Sequence, residues 1–280
     1  FFGFLGGAHS YFAAAGMLRG NEPVKNLDYT TDAFGREACA FIEKHKGRPW
    51  FLYLAFNAVH TPLEAPEAET KPYPELKGGR QKLAGMLSAV DEAVGRIEEA
   101  LRKAGRLENT LIVFSSDNGP EDIHIRNASH SAFGSPGPFR GRKRSLYEGG
   151  VRVPFLVRWP ARVPRGKVND KTVVAAVDFL PTLLELAGVT PEGALDGESM
   201  ADVLAGKARA RVKPVHWEWR FNIAGYHANK SPMLSIREGD WKLLFNPDRS
   251  RVELYDIPRD PYENTNLAAA QPSVVSRLMA

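Results

Sequence analysis

The sequence predicts an α/β fold, because amphipathic helical segments alternate with short apolar runs from about residue 31 to residue 186. Apolar residues at helical spacing over 31–45 and 81–103 predict two long helices. The apolar runs 50–56 and 111–114 that follow them predict strands buried on both faces, which is typical of parallel sheets. We also predict a strand at 153–157 and a helix at 172–186, with Pro181 near its start.

After about residue 212 the pattern changes to short strands joined by hairpin turns. We expect these strands at 234–237, 241–245 and 251–255, with polar turns between them. The sequence therefore predicts two parts, a larger one over residues 1–211 and a small antiparallel subdomain over 212–280.

The composition is typical of a globular protein. With 280 residues, 43% of them hydrophobic and 25% charged, the chain can bury a sizeable core. The formal net charge of +4 is mild and is not concentrated in one block, so it indicates no nucleic-acid partner. A single cysteine, Cys39, excludes an internal disulfide, and no apolar stretch approaches the length of a membrane span.

Polar side chains that could bind ligands follow two of the predicted strands. Asp117 and Asn118 come after the strand 111–114 and offer a carboxylate and an amide oxygen, the ligands that calcium or magnesium prefers. Taken alone, Asp-Asn-Gly is also an ordinary turn. His60 follows the run 50–56, where it would protonate a leaving alcohol or form a structural hydrogen bond.

A third candidate is the segment Gly137–Pro154, in which glycines and prolines flank a cluster of cations. Arg140 and Lys143 lie in this cluster, and the loop leads directly into the strand 153–157. A fixed lysine or arginine there would bind an oxyanion, whereas an ordinary basic loop would be solvated.

These motifs together resemble the sulfatase family, whose fold is alkaline-phosphatase-like. The resemblance rests on His60-Thr61-Pro62, Ser116-Asp117-Asn118-Gly119, and Gly141-Arg142-Lys143 followed by Leu146-Tyr147-Glu148-Gly149-Gly150, in that order. Further similar stretches are Phe1–Phe12, Val177–Thr182, Gly239–Leu243 and Glu253–Asp256. The resemblance implies part of a mixed, largely parallel sheet with flanking helices, followed by the small antiparallel subdomain.

The resemblance also implies roles for individual residues. Asp117 and Asn118 are similar to ligands of a metal ion, calcium in preference to magnesium. His60 is similar to the histidine that faces the sulfate or the leaving oxygen, and Lys143 to the lysine that contacts sulfate. Four other polar residues are expected on the substrate side, with an ordinary surface role left open for each: His9, Glu121, His124 and Arg140.

Sulfatases carry their nucleophile in a Cys-x-Pro-x-Arg or Ser-x-Pro-x-Arg motif, whose first residue becomes formylglycine, and these 280 residues contain neither version. The chain opens within a motif, so we expect the nucleophile and further metal ligands to precede Phe1. We therefore expect the 280-residue segment to be inactive by itself.

The resemblance implies a sulfuric ester hydrolase that acts on sulfated carbohydrates, in the periplasm or outside the cell. Two alternatives stay open from the sequence. One is a phosphoester or phosphonate hydrolase of the same superfamily, and the other is a non-catalytic protein that binds sulfated glycans.

Overall fold

The computed structural model describes residues 2–4, 10–122, 133–221 and 227–280. The chain divides into two compact units. Unit 1 comprises residues 1–110 and 121–134, and unit 2 comprises residues 111–120 and 135–280. Both contain helices and strands, so the predicted mixed α/β class is confirmed. None of the helices in the described ranges is long and apolar enough to cross a membrane.

Unit 1 is built around two long helices. Strands β1 (Phe2–Phe4), β2 (Met17–Arg19) and β3 (Glu22–Pro23) form a small antiparallel sheet. Helices α1 (Thr30–His45), α2 (Glu67–Thr70) and α3 (Gly78–Lys103) follow. A Cβ on Gly35 of α1 would lie 3.0 Å from the Cβ of Ala93 on α3, so small residues let the two helices approach closely. The two predicted helices are confirmed.

The predicted buried strand over 50–56 is wrong for the described chain. No strand is assigned there, and Phe51 and Tyr53 are 70% and 81% exposed. The segment pairs with no other strand in the described ranges, and an unpaired segment has no sheet in which to form a strand. The apolar residues favour a strand, but the described ranges contain no strand that pairs with this segment.

Unit 2 begins with a strand pair. Strand β4 (Ile112–Ser115) pairs antiparallel with β5 (Phe155–Arg158), in a register that places Val113 opposite Val157. Parallel pairing was predicted, but every strand pair in the described residues is antiparallel. The predicted burial of this strand on both faces is also wrong for the described chain, because no residue of β4 is fully buried and Phe114 is 41% exposed. An apolar run favours a strand, but it encodes neither what covers the strand nor the direction of its neighbour.

Three short helices belong to the same part of unit 2: α4 (Glu148–Val151), α5 (Phe179–Ala187) and α6 (Ala201–Leu204). Helix α5 begins later than the predicted residue 172 and follows a 3-10 turn over Ala176–Asp178. The buried Asp178 carboxylate accepts the Ala175 amide hydrogen at 2.8 Å, which satisfies this helix start. Gly188, with φ of 70°, ends the helix.

The predicted antiparallel sheet lies near the C-terminus, and it has a fourth strand beside the three that were predicted. Its strands, in sheet order, are β6 (Val215–Glu218), β7 (Leu234–Glu238), β8 (Trp241–Phe245) and β9 (Glu253–Asp256). Helix α7 (Pro272–Met279) packs its Leu278 against Leu243 and Leu254 of this sheet. The sheet lies within the predicted subdomain 212–280, and it belongs to the same compact unit as residues 135–211.

Candidate functional site

Asp117 and Asn118 lie immediately after β4, in a turn that uses only part of their bonding capacity. The Asp117 Oδ1 atom accepts the Asn118 amide hydrogen at 2.9 Å, and Asn118 Nδ2 donates to the Gly119 carbonyl at 2.9 Å. No described residue donates a hydrogen bond to Asp117 Oδ2 or Asn118 Oδ1. The turn thus presents two oxygen acceptors, an anionic one on the exposed Asp117 and a neutral one on the half-buried Asn118.

Backbone contacts fix this turn against the loop that carries Lys143. The Gly119 amide donates to the Gly150 carbonyl at 2.8 Å, and the Lys143 amide donates to the Pro120 carbonyl at 2.9 Å. A Cβ on Gly119 would overlap the carbonyl oxygen of Gly149. Glycine is required here because two backbones touch where any larger residue would separate them.

The second loop is itself folded on glycines. Gly141 adopts φ of 83°, and the Gly149 amide donates to the Arg140 carbonyl at 2.7 Å. The same packing excludes side chains at Gly149 and Gly150, whose Cβ atoms would overlap backbone oxygens of the loop. The glycines flanking the basic cluster, which the sequence analysis singled out, therefore shape the loop that carries Lys143.

Lys143 is half-buried, and its ammonium group forms no ion pair or hydrogen bond within the described ranges. Its backbone position is fixed by the Pro120 contact, so the loops place a free cation on the segment bonded to the Asp117–Asn118 turn. A lysine held in this way can bind an anionic oxygen.

The donor set at the Asp117–Asn118 turn fits part of a calcium site. Two free oxygen atoms suit a hard cation, but calcium takes six to eight oxygen ligands, so this turn supplies only a fraction of them. Within the described ranges no group of three or more His, Cys, Asp or Glu side chains could hold a metal ion. The calcium prediction stays a prediction.

His60 belongs to unit 1, and the residues around it hold its backbone. The Tyr11 hydroxyl donates to the carbonyls of Asn57 and His60 at 2.6 and 2.8 Å. Burial and the neighbouring Tyr29 raise the pKa of Tyr11, so its hydroxyl stays protonated as a donor. His60 Nδ1 donates to the Thr61 carbonyl at 2.8 Å, which leaves Nε2 on the exposed imidazole for proton transfer.

The structure describes two of the four predicted substrate-facing residues, Glu121 and Arg140. Glu121 is half-buried in unit 1, and its carbonyl accepts the Gly134 amide hydrogen at 3.0 Å. The Arg140 guanidinium donates to the Tyr255 hydroxyl and the Glu263 carbonyl, and it stacks 3.8 Å from the centre of the Tyr147 ring. His9 and His124 lie outside the described residues. A substrate role for these four stays a prediction, and in the structure the Arg140 side chain supports its loop.

With this geometry in place, comparison with known proteins identifies the family. The family model described as Sulfatase matches residues 3–189, and the one described as N-sulphoglucosamine sulphohydrolase, C-terminal, matches residues 139–278. The chain belongs to the sulfatase family. The first of these matches extends from β1 through α5, and it includes every predicted site residue.

Individual sulfatases agree with this assignment. A "Sulfatase" from Formosa agariphila is 31% identical over 94% of the chain, and an "N-acetylgalactosamine-6-O-sulfatase" from Bacteroides thetaiotaomicron is 30% identical over 94%. Each match covers 52% of the relative, so the chain spans about half the length of these curated sulfatases. The crystal structure of Ps i-CgsB is 32% identical, with a TM-score of 0.84 over 99% of this chain and 64% of that one. That protein has also been solved in complex with k-i-k-neocarrahexaose.

A buried ionic cluster, which was not predicted from the sequence, supports the Lys143 loop. Lys242 of β8 is fully buried, with Nζ 2.8 Å from Glu148 Oε1 and 3.0 Å from Glu263 Oε1. The Glu148 amide also donates to Glu263 Oε2 at 2.6 Å. This cluster joins two of the family-like stretches, because Glu148 lies at the end of the Lys143 loop and Lys242 lies in Gly239–Leu243.

The two carboxylates in this cluster have opposite pKa shifts. Burial alone would raise the pKa of Glu148, but the charge and hydrogen bond of Lys242, with Arg237 and Arg152 nearby, hold it below its ordinary value. Burial raises the pKa of Glu263, which Lys242 only partly offsets and the Glu148 charge increases further. One lysine thus compensates two carboxylates, of which Glu148 is the more firmly ionised.

A second cluster binds the neighbouring residue of the loop, Tyr147. Glu253 Oε2 accepts hydrogen bonds from the hydroxyls of Tyr147 and Tyr255, at 2.7 and 2.8 Å. Burial and the Glu253 carboxylate raise the pKa of both tyrosines, so each remains a donor. The stretches Leu146–Gly150 and Glu253–Asp256 were expected as separate similarities, and the fold shows that they bind one another.

Proposed function

We propose that this chain forms part of an enzyme that hydrolyses sulfate esters of carbohydrates. One observation carries the proposal. The free Lys143 ammonium and the two free oxygen acceptors of Asp117 and Asn118 lie on loops of unit 2 that are joined by backbone hydrogen bonds, in a chain that belongs to the sulfatase family. The chain spans only part of its relatives, so residues outside it complete the proposed site.

A sulfate monoester is an anion, and displacement at sulfur places negative charge on the sulfate oxygens and on the departing alkoxide. In the proposed mechanism the Lys143 ammonium binds a sulfate oxygen and neutralises part of that charge. As the bond between sulfur and the ester oxygen breaks, His60 Nε2 gives a proton to the departing oxygen, which leaves as an alcohol. The Nδ1 contact to the Thr61 carbonyl orients the ring for that transfer.

Asp117 and Asn118 would supply two oxygen ligands to calcium, with Asp117 contributing charge and Asn118 its amide oxygen. Bound calcium would add positive charge next to the sulfate oxygens. The nucleophile in this proposal is a formylglycine supplied by residues beyond these 280, since the sequence contains neither version of the motif.

Sulfated carbohydrates are favoured as substrates by the named relatives. One relative is called an N-acetylgalactosamine-6-O-sulfatase, and the similar Ps i-CgsB has been crystallised with k-i-k-neocarrahexaose. We therefore propose a sulfated galactosamine or galactose unit of a polysaccharide as the substrate class.

The test is a pair of matched assays on the full product of the gene. N-acetylgalactosamine 6-sulfate and N-acetylgalactosamine 6-phosphate are supplied separately, and free sulfate and free phosphate are measured by ion chromatography. The proposal expects sulfate release that chelation of calcium abolishes, with little phosphate release. Faster phosphate release would instead support a phosphoester hydrolase. Binding of the sulfated sugar with no release of sulfate from any sulfated glycan tested would support a non-catalytic binder.

A further inference from the structure

A strongly basic surface lies in unit 2, in a segment that the proposed reaction does not use. Residues 158–171 contain five basic residues and one acidic residue, a formal charge of +4. The whole chain also has a net charge of +4, so the other 266 residues balance to zero. The charge is therefore more concentrated than the sequence analysis expected.

The fold places residues 206–209 beside residues 164–172. The hydroxyl of Thr172 donates to the Arg209 carbonyl at 2.8 Å and accepts the Arg209 amide hydrogen at 3.1 Å. A Cβ on Gly206 would lie 2.9 Å from Pro164. The intervening Lys207 therefore lies alongside residues 164–172, although it is 36 positions beyond Lys171 in the sequence.

Three nearby carboxylates, those of Asp178, Glu198 and Asp202, already form ion pairs with arginines. Arg209 pairs with Glu198 at 2.7 Å and with Asp202 at 3.2 Å. Arg211 forms a buried ion pair with Asp178. Because these carboxylates are used by the two arginines, they do not neutralise the cations on the adjoining surface.

Five exposed cations remain, and we call them the cationic face: Arg162, Arg165, Lys167, Lys171 and Lys207. Arg165, Lys167 and Lys207 form no ion pair or side-chain hydrogen bond in the part of the chain that the structure describes. Lys171 is 4.0 Å from the Asp170 carboxylate, a pair that is at least 75% exposed on both sides and therefore weak. Arg162 stacks on the Trp159 ring with its charge 4.6 Å from the centre.

We propose that the cationic face is a second binding surface for a sulfated polysaccharide chain, separate from the residues that act on the sulfate ester. Gathering like charges costs self-repulsion in the free protein, and a polyanion that binds several cations at once removes that cost. Sulfate groups stay ionised at every physiological pH, and exposed lysines and arginines bind them without a preformed pocket. Such a surface would hold a long substrate chain between successive reactions.

The choice of a sulfated partner rests on the proposed function, and the described surface itself argues against single-stranded nucleic acid. Single-stranded nucleic acids need exposed aromatic platforms on which their bases stack. The aromatic ring next to this face is Trp159, which is 9% exposed and is covered by Arg162. A chain of sulfated sugars needs no stacking platform of this kind.

The test compares two triple variants of the full gene product in binding to heparin, used as the sulfated probe. Arg165→Ser/Lys167→Ser/Lys171→Ser removes three charges from the cationic face. The control, Lys25→Ser/Lys71→Ser/Lys82→Ser, removes three exposed charges from unit 1. We expect the first triple to weaken binding about tenfold or more at moderate salt, and the control less than about twofold. Equal weakening by both triples, or no weakening by the first, would overturn the proposal.

Two further probes separate this surface from the sulfate-ester site. The two probes are duplex DNA and polygalacturonate, which carries carboxylates but no sulfates. We expect both to bind more weakly than heparin. If they bind as tightly as heparin, the surface is a general polyanion site and the proposal is contradicted. Lys143→Ala, which removes the proposed sulfate contact of the ester site, should weaken heparin binding less than the first triple does. In the full gene product, the first triple should keep its sulfate release from a monosaccharide sulfate, so loss of activity and loss of chain binding are measured independently.

Discussion

The loop that carries Lys143 and the loop that carries His60 are held in place by different means. The Lys143 loop rests on buried charges and on glycines that let backbones touch, and its supporting residues come from more than 90 positions away in the sequence. The His60 loop is held by one tyrosine hydroxyl and local hydrogen bonds, and its imidazole is exposed. The proposed anion-binding lysine thus lies on a loop supported by buried charges, whereas the proposed proton donor lies on a loop held by hydrogen bonds to its backbone.

The largest expected effect comes from removing the lysine beneath the Lys143 loop. Lys242→Met leaves Glu148 and Glu263 buried without their cation, and we expect a loss of about 3–5 kcal/mol in the free energy of unfolding. Urea denaturation of the purified chain measures it. The further variant Lys242→Met/Glu148→Gln/Glu263→Gln should recover part of the loss, because it removes the uncompensated charges.

The pH dependence of Lys242→Met follows from the same cluster. Without Lys242 both buried carboxyls titrate above their unfolded pKa, so the folded state binds protons more readily, and stability is lost as pH rises through the folded pKa. The variant should therefore be less destabilised at pH 5 than at pH 7.5, relative to the wild type at each pH. A loss that is the same at both pH values would mean that packing, not charge, explains the effect.

The contact between the two loops of unit 2 should be the next most sensitive feature. Gly119→Ala places a methyl group on the Gly149 carbonyl oxygen, and we expect a loss of about 2–3 kcal/mol in unfolding free energy. Gly95→Ala is the matched control, because its Cβ meets nothing within 4 Å inside helix α3, and it should stabilise by about 0.5–1 kcal/mol. Equal effects of the two substitutions would refute the close contact.

On the His60 side, Tyr11→Phe removes one hydroxyl and leaves the carbonyls of Asn57 and His60 without their donor. We expect a loss of about 1–3 kcal/mol by chemical denaturation. Tyr29→Phe removes a single hydrogen bond, to the Glu64 carbonyl, and should cost less. In the full gene product Tyr11→Phe should lower kcat more than it raises KM, since the proposed proton donor His60 is displaced while the proposed sulfate contact at Lys143 remains.

The smallest expected effect concerns Arg140. Arg140→Lys keeps the charge but loses the planar contacts to the Tyr147 ring and the Tyr255 hydroxyl, and we expect a loss of about 1 kcal/mol in stability. If Arg140 supports the loop, KM for the sulfated substrate changes little. A rise in KM without a loss of stability would assign Arg140 to the substrate instead.

The sequence predicted local features well and long-range partners poorly. Helices α1 and α3 followed from apolar spacing, and three strands of the C-terminal sheet, β7, β8 and β9, followed from their turns, whereas β6 was not predicted. The direction of β5 relative to β4, and the absence of a strand at 50–56, depend on which strand lies alongside, and an apolar run carries no such information.

The same limit explains the missed supporting residues. His60, Asp117, Asn118 and Lys143 were singled out because polar residues at strand ends and on glycine-rich loops have a chemical rationale of their own. Lys242 looks in sequence like a surface lysine between two apolar residues, and only its burial against Glu148, 94 positions away, reveals its role. The one available signal was the alternation of β8, which places Lys242 on the same face as Leu244.

The most direct test of the proposed site is sulfate release by the full gene product carrying Lys143→Ala or Asp117→Ala, with Lys82→Ala as the control. We expect kcat/KM for a monosaccharide sulfate to fall at least about a hundredfold for each site variant and to stay within about twofold for the control. If both site variants hydrolyse the ester at close to the wild-type rate while remaining folded, the proposal that Lys143 and Asp117 contact the anion and the metal is wrong.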